Sequence, residues 1–456
     1  MVAVFIVISV AFLISGRKKF LLYFVALYPV LPDYFGIELG AGLPLLKANR
    51  ILLILLFIAV LIYYRNVDIF PKQRFINAKI YTGLLIYFSC RIIANAYYVT
   101  NLSEAINAEF TIIVEQFLLL VLLIQFIRDE SELQEIIDII VKVSGIIALV
   151  CFINIAIGEN LFYYLKTIER SVMMTSTERM GIVRAEATFG HPVYYSVYTA
   201  LMLPLALYLY QNKKKLKYLI LMMMNIVALF LTGTRGTIVV LFIFVIIAFI
   251  RMERADKQKF AFLFVGLAMV LVILSLLNSE LLKIFTSTVQ SVMVAFGLSD
   301  AKIDNFGGNY ETGLDSRLIQ FSAFYYVFQN SPIFGLGAGC QNRGKLYYYV
   351  NDKWRISGTI DNGYVGYVAQ EGLLGITAVV VFHFSLLKNS FQFARKEKQN
   401  KPNGMANMFF FCFLIYVGEM LSIADSSQLF WLIVAFYIAY NSIGNRQTTY
   451  LRGINQ

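Results

Sequence analysis

About thirteen apolar runs divide this chain, near residues 2–15, 20–35, 50–64, 78–97, 109–127, 134–157, 191–210, 216–232, 236–250, 259–277, 361–387, 405–423 and 428–444. A helix needs roughly 20 apolar residues to cross a hydrocarbon core, and inside that core every backbone polar group must be satisfied internally. The pattern predicts an all-α integral membrane protein of about 12–13 transmembrane helices, the run 2–15 being the shortest of them. Composition agrees, because only 15% of the 456 residues are charged and 59% are hydrophobic, against about 25% charged in soluble domains.

The net charge of +11 is placed by loop alternation. Arg17, Lys18 and Lys19, then Lys72, Arg74 and Lys79, Arg128, Lys213 to Lys217, Arg251 to Lys259 and Lys388 to Lys401 all fall in one set of loops. Short basic loops stay in the cytoplasm, so this charge faces the cytosol and anionic lipid, and no nucleic-acid partner is expected. The opposite set holds 95–108, 424–427, the turn at Arg235, and two long connections. The chain therefore reads as one polytopic membrane domain over 1–456, with extracytoplasmic loops at 158–190 and 278–360. A connection of that second length is too long for a simple link. Amphipathic helices are expected at 281–298 and 316–329, with a polar, glycine-containing lid at 300–313. Cys90, Cys151 and Cys412 sit in apolar runs and Cys340 stands apart, so no disulfide framework is expected.

Four outward segments carry polar chemistry. Leu231-Thr232-Gly233-Thr234-Arg235-Gly236 puts a guanidinium and a tight turn between two apolar runs. A fixed cation beside exposed amides suits a phosphate, although a lone Arg there also serves as an interfacial anchor. The others are Arg184 leading to Gly190-His191-Pro192, then Asp315-Ser316-Arg317 with Ser331-Pro332-Ile333-Phe334-Gly335-Leu336-Gly337, and Asp361-Asn362-Gly363-Tyr364 with Glu371-Gly372-Leu373-Leu374-Gly375. In order and spacing these resemble the O-antigen ligase and polymerase superfamily of bacterial envelope glycosyltransferases. His191 stands where that family commonly has Asn, Thr234 where it has Ser, and Asp361 where its ligases have His.

The resemblance implies a glycosyltransferase of the bacterial cytoplasmic membrane, with its active site on the extracytoplasmic side. The donor would be an undecaprenyl-pyrophosphate-linked oligosaccharide, polymerised into O-antigen, capsule or exopolysaccharide. Ligase-type transfer of finished glycan and flipping of the lipid-linked substrate remain the alternatives, and a chain-length regulator and a flippase are the implied partners. Asp361 in place of the ligase His favours a polymerase. Arg184, Arg235 and Arg317 are expected to clamp the diphosphate, since a planar guanidinium holds two oxygens at once. Asp361 is the first candidate for the proton acceptor, with helix capping as its other reading. His191 is expected to bind phosphate or take the proton, and Glu371 to bind acceptor or hold structure deeper in the same helix. No Asp-x-Asp or ligand-spaced His/Asp set occurs on this face, so neither a metal nor a cofactor is expected.

Overall fold

The computed structural model describes residues 1–38, 45–64, 71–168, 182–251, 257–262, 319–350, 352–398, 404–421 and 428–454, with a few isolated positions and pairs between them. Its helices are α1 Val2–Ile14, α2 Arg17–Leu27, α3 Ala48–Tyr63, α4 Lys72–Asn77, α5 Tyr81–Ala96, α6 Ser103–Phe110, α7 Leu119–Phe126, α8 Glu130–Ile157, α9 Pro192–Lys213, α10 Leu216–Leu231, α11 Arg235–Arg251, α12 Ser322–Asn330, α13 Gly363–Lys398, α14 Met405–Glu419 and α15 Gln428–Ile454. A π-helical stretch, Thr111–Leu118, joins α6 to α7. The expected lid and the amphipathic helix at 281–298 lie outside the described residues.

Among the described residues, four helical stretches are long and apolar enough to span a membrane: Ser103–Phe126, Glu130–Ile157, Pro192–Lys213 and Gly363–Glu397. Six shorter apolar helices pack with them. The chain is an all-α membrane protein. On α8, Ile136, Ile140, Ala148 and Cys151 are buried, while Ile146, Leu149, Ile153 and Ile157 at helical spacing are exposed. An apolar outer stripe of this kind is stable against lipid and costly against water. Every residue of α9 from Tyr195 to Tyr210 is buried, as expected of a helix that is apolar all round and surrounded by others.

Capping sets where several helices begin and end. Asp129 accepts the Glu132 N–H at 2.8 Å ahead of α8, and Gly158 closes that helix in the left-handed region at φ 76°, where L-residues are disfavoured. Ion pairs and hydrogen bonds tie one end of the bundle together. There Arg17 pairs with Glu132, Lys18 meets Glu135 at 2.7 Å, and Glu397 takes the Ala406 N–H at 2.8 Å together with the Tyr440 hydroxyl.

Three expectations change. The outward loop at 95–108 contains helix α6 from Ser103. The long connection carries, beyond α12, a hairpin of Tyr347–Val350 with Lys353–Ile356. The run 361–387 is not one continuous helix, because Gly372 adopts φ 64°, ψ −145° inside α13. Lipid supplies no hydrogen bonds to the backbone groups freed by such a break. The 332–337 loop supplies them. Leu373 N–H donates to the Pro332 carbonyl at 2.8 Å, and Leu336 and Gly337 N–H donate to the Ala369 and Gln370 carbonyls at 2.8 and 3.1 Å. A Cβ on Gly335 would lie 2.6 Å from the Gly372 nitrogen, and one on Gly372 would lie 2.5 Å from the Gly335 nitrogen. The Pro-x-x-Gly-x-Gly and Glu-Gly-x-x-Gly segments are therefore two halves of one interlocked joint.

Candidate functional site

α10 ends as the Thr232 N–H falls back on the Ala228 and Leu229 carbonyls, and Gly233 turns the chain at φ 61°. The Thr232 hydroxyl oxygen then accepts the Thr234 N–H at 3.2 Å, and α11 starts at Arg235. This turn is held from outside by the first motif. Arg184 Nε donates to the Thr232 carbonyl at 2.6 Å, and one of its terminal nitrogens donates to Thr234 Oγ1 at 3.3 Å. The Ala185 N–H reaches the Leu231 carbonyl at 3.0 Å. Arg184 thus sits against the turn whose next residue is Arg235. Arg317 lies outside the described residues.

Below the turn, three helices are joined by buried hydroxyls and one carboxylate. Thr237 on α11 meets Ser196 on α9 at 2.9 Å and donates to Glu419 Oε2 at the end of α14 at 2.8 Å. All three side chains belong to fully buried residues. Gly363, the first residue of α13, donates its N–H to the Met420 carbonyl at 2.8 Å. α9, α11 and α13 consequently all begin at one end of the bundle, so the positive ends of three helix dipoles point the same way.

His191 caps α9, its Nδ1 accepting the Val193 N–H at 3.2 Å. With that lone pair used, the neutral ring carries its proton on Nε2 and presents a donor. Burial, reinforced by Arg184 and partly opposed by Asp361, holds the imidazole below its ordinary value of 6.5. Both charged groups therefore lie within electrostatic reach of His191. Asp361 is exposed and does not cap α13. Asn362 Oδ1 takes the Tyr364 and Val365 N–H groups at 2.9 and 3.2 Å. Asp361 instead accepts from Gln320 Nε2 at 3.2 Å and donates its own N–H to Gln320 Oε1 at 3.0 Å. Gln320 lies three residues beyond Arg317 in the sequence.

Glu371 is engaged by Arg91 and Asn95 on α5. Arg91 Nε lies 2.9 Å from Oε2, and Arg91 Nη2 and Asn95 Nδ2 lie 2.9 and 3.1 Å from Oε1. It lines a cavity of about 560 Å³ that also reaches Thr188, Phe189 and Tyr194 beside His191 and Gly363 beside Asp361. Among the described residues no group of three His, Cys, Asp or Glu side chains is arranged to hold a metal ion.

Residues 218–380 match the family described as O-antigen ligase. The chain carries a domain of the O-antigen ligase family. A search of curated proteins found no match to the chain. The O-antigen ligase domain supports O-antigen ligase or polymerase-type glycan transfer and a multi-pass membrane protein. Arg235, Arg317, Asp361 and Glu371 lie inside it, as do both halves of the joint at Gly335 and Gly372. Arg184 and His191 lie outside it; Arg184 docks onto its Thr232–Thr234 turn, and His191 lies in electrostatic reach of its Asp361. Sequence reasoning did not find Gln320, Asn362 or Glu419 in these roles. Asn362 had a readable signal, an amide two residues before the first helical N–H it caps. Gln320 had none, since an amide on a half-buried helix is ordinary. Glu419 showed only as a carboxyl inside an apolar run.

Proposed function

We propose that this protein polymerises lipid-linked oligosaccharide repeat units on the extracytoplasmic face of the bacterial cytoplasmic membrane, releasing an undecaprenyl pyrophosphate. The observation that carries the reading is the docking of Arg184 onto the Thr232–Thr234 turn, with His191 and Asp361 in electrostatic reach. Charge develops on the diphosphate oxygen as the sugar leaves, and cations fixed in advance favour that state over the bound substrate. Arg184 and Arg235, with Arg317, supply those cations and do the work a divalent metal does elsewhere. The His191 Nε2–H adds a neutral donor. Asp361, held by Gln320 and not spent on the helix cap, takes the proton of the acceptor hydroxyl.

Transfer of finished glycan by a ligase is the second reading, favoured by the description of the matched family. A transporter is disfavoured because Arg91, Arg50 and Lys142 are each held by a carboxylate and are not strung along a path. Arg91 pairs with Glu371, Arg50 with Glu115 and Lys142 with Asp138.

The test is incubation of purified protein with a defined lipid-linked repeat unit and no ion gradient, reading product length. Arg235→Ala lowers chain growth about 10²- to 10³-fold at unchanged expression, and Arg235→Lys rescues poorly because the two-oxygen grip is lost. Growth continues in the presence of chelator. Near-wild-type polymer from Arg235→Ala overturns the clamp. Cells lacking the protein accumulate single repeats on the carrier if it is a polymerase, and full-length lipid-linked glycan if it is a ligase.

A further inference from the structure

The 560 Å³ cavity reaching from Glu371 to Thr188 and Tyr194 falls within the roughly 300–1,000 Å³ of small-molecule sites, and its charge is already spent. Each charged side chain on its wall has an opposite partner. Lys47 lies 2.7 Å from Asp33, Arg91 2.9 Å from Glu371, and Glu115 2.6 Å from Arg50 behind it. Glu109, one residue beyond the wall, has both carboxyl oxygens buried and unbonded, and in either protonation state it offers an anion no positive charge. A diphosphate entering here would lose its hydration without gaining a free cation. A neutral, hydroxyl-rich ligand meets the opposite situation.

The wall provides amides and a hydroxyl at Asn107, Gln116, Gln370 and Thr111, and aromatic side chains at Tyr367 and Trp431. Hexose units match both, with hydroxyls around the rim and C–H groups on the face. One wall is the π-helical stretch Thr111–Leu118, which contributes Thr111, Ile112, Glu115 and Gln116. Such departures from α-helical winding recur where a helix is shaped for a ligand.

We propose that this cavity binds neutral sugar units of the glycan, next to the diphosphate, and that the amino-terminal half of the chain sets which sugars are accepted. The assignment rests on the glycosyl-transfer reading above and extends it. The matched domain supplies Gly363, Gly366, Tyr367, Gln370 and Glu371 to this wall, whereas the polar groups of α5, α6 and the π-helical stretch lie outside 218–380. Sugar selection thus draws on residues of α5, α6 and the π-helical stretch outside the matched domain, together with Tyr367 and Gln370 within it.

The chain has two tryptophans, Trp354 and Trp431, so a Trp354→Phe protein in detergent reports Trp431 alone. The probes are the neutral oligosaccharide released by mild acid from the cell's own polysaccharide, and inorganic pyrophosphate. The oligosaccharide is expected to shift Trp431 emission saturably, with no competition from pyrophosphate. Asn107→Leu and Tyr194→Ala, each checked for an unchanged unfolding midpoint, are expected to weaken that binding at least about tenfold. A silent Trp431, or pyrophosphate occupying the site, overturns the proposal. If Trp431 is silent while Arg235→Ala still abolishes chain growth, the cavity assignment falls and glycosyl transfer stands. If the sugar binds but Arg235→Ala grows normal chains, the transfer reading falls instead.

Discussion

Asn362 and Asp361 are neighbours with different work. Asn362 holds the first N–H groups of α13, and Asp361 is held by Gln320. Substitution separates the two roles. Asp361→Asn keeps the bond to Gln320 and removes the proton acceptor, so chain growth in vitro falls by about 10²- to 10⁴-fold while the unfolding midpoint hardly moves. Asn362→Ala costs about 1 kcal/mol of stability and leaves the chemistry in place. Wild-type growth from Asp361→Asn places the base elsewhere. His191 gives a pH signature at the same scale. Its folded-state value lies below 6.5, so the unfolded chain takes up this proton first. Its contribution to stability is constant above pH 6.5 and declines as pH falls below it. Imidazole NMR should show a midpoint below 6.5 that rises in Arg184→Ala, and a midpoint at or above 6.5 contradicts the described surroundings. Arg184, His191 and Asp361 were legible in the sequence because charged or titratable residues at the edges of apolar runs are conspicuous. Their partners were not, since a threonine carbonyl, a backbone N–H and the amide of Gln320 carry no pattern until the chain is folded.

Among the elements, α13 shows where hydropathy fails. The run 361–387 is apolar over most of its length, and mean hydropathy does not distinguish a straight helix from one broken at Gly372. The clue lay in the glycines at 335 and 372, but their meaning is pairwise. Each admits the other's backbone closer than any side chain allows. Gly372→Ala meets both a φ of 64° and atoms 2.5 Å from the new Cβ. Expelling the 332–337 loop strands backbone groups that the break has freed, and the cost is at least about 1–3 kcal/mol. Gly335→Ala should produce the same phenotype, loss of the folded form on size-exclusion chromatography, because both changes open the same joint. Either variant behaving as wild type would show that the joint is looser than its hydrogen bonds imply. The joint also bears on the site, since Glu371 precedes the break and is gripped by Arg91 and Asn95 on α5. Opening it therefore disturbs the cavity as well as α13.

At the scale of the molecule, two ends of opposite character organise the chain. At one, basic loops carry ion pairs such as Arg17–Glu132 and Lys18–Glu135. At the other, the starts of α9, α11 and α13 meet the end of α14. Loop charge and alternation of the apolar runs predict two such ends from the sequence. The small hairpin at 347–356 and the helix inside 95–108 were invisible to that reasoning, because short aromatic or polar elements at a bundle's rim contribute little apolar periodicity. The orientation itself is open to direct measurement. Lys19 lies at the basic end and Lys353 on the hairpin, both exposed, while Cys151, Cys340 and Cys412 are buried and Cys90 half-buried. In intact cells a membrane-impermeant maleimide should label Lys353→Cys and leave Lys19→Cys unlabelled until the membrane is permeabilised. The reverse pattern would put the Arg184 turn in the cytosol, where a donor presented at the outer leaflet cannot reach it. The assembly of glycan outside the cell would then need a different catalyst.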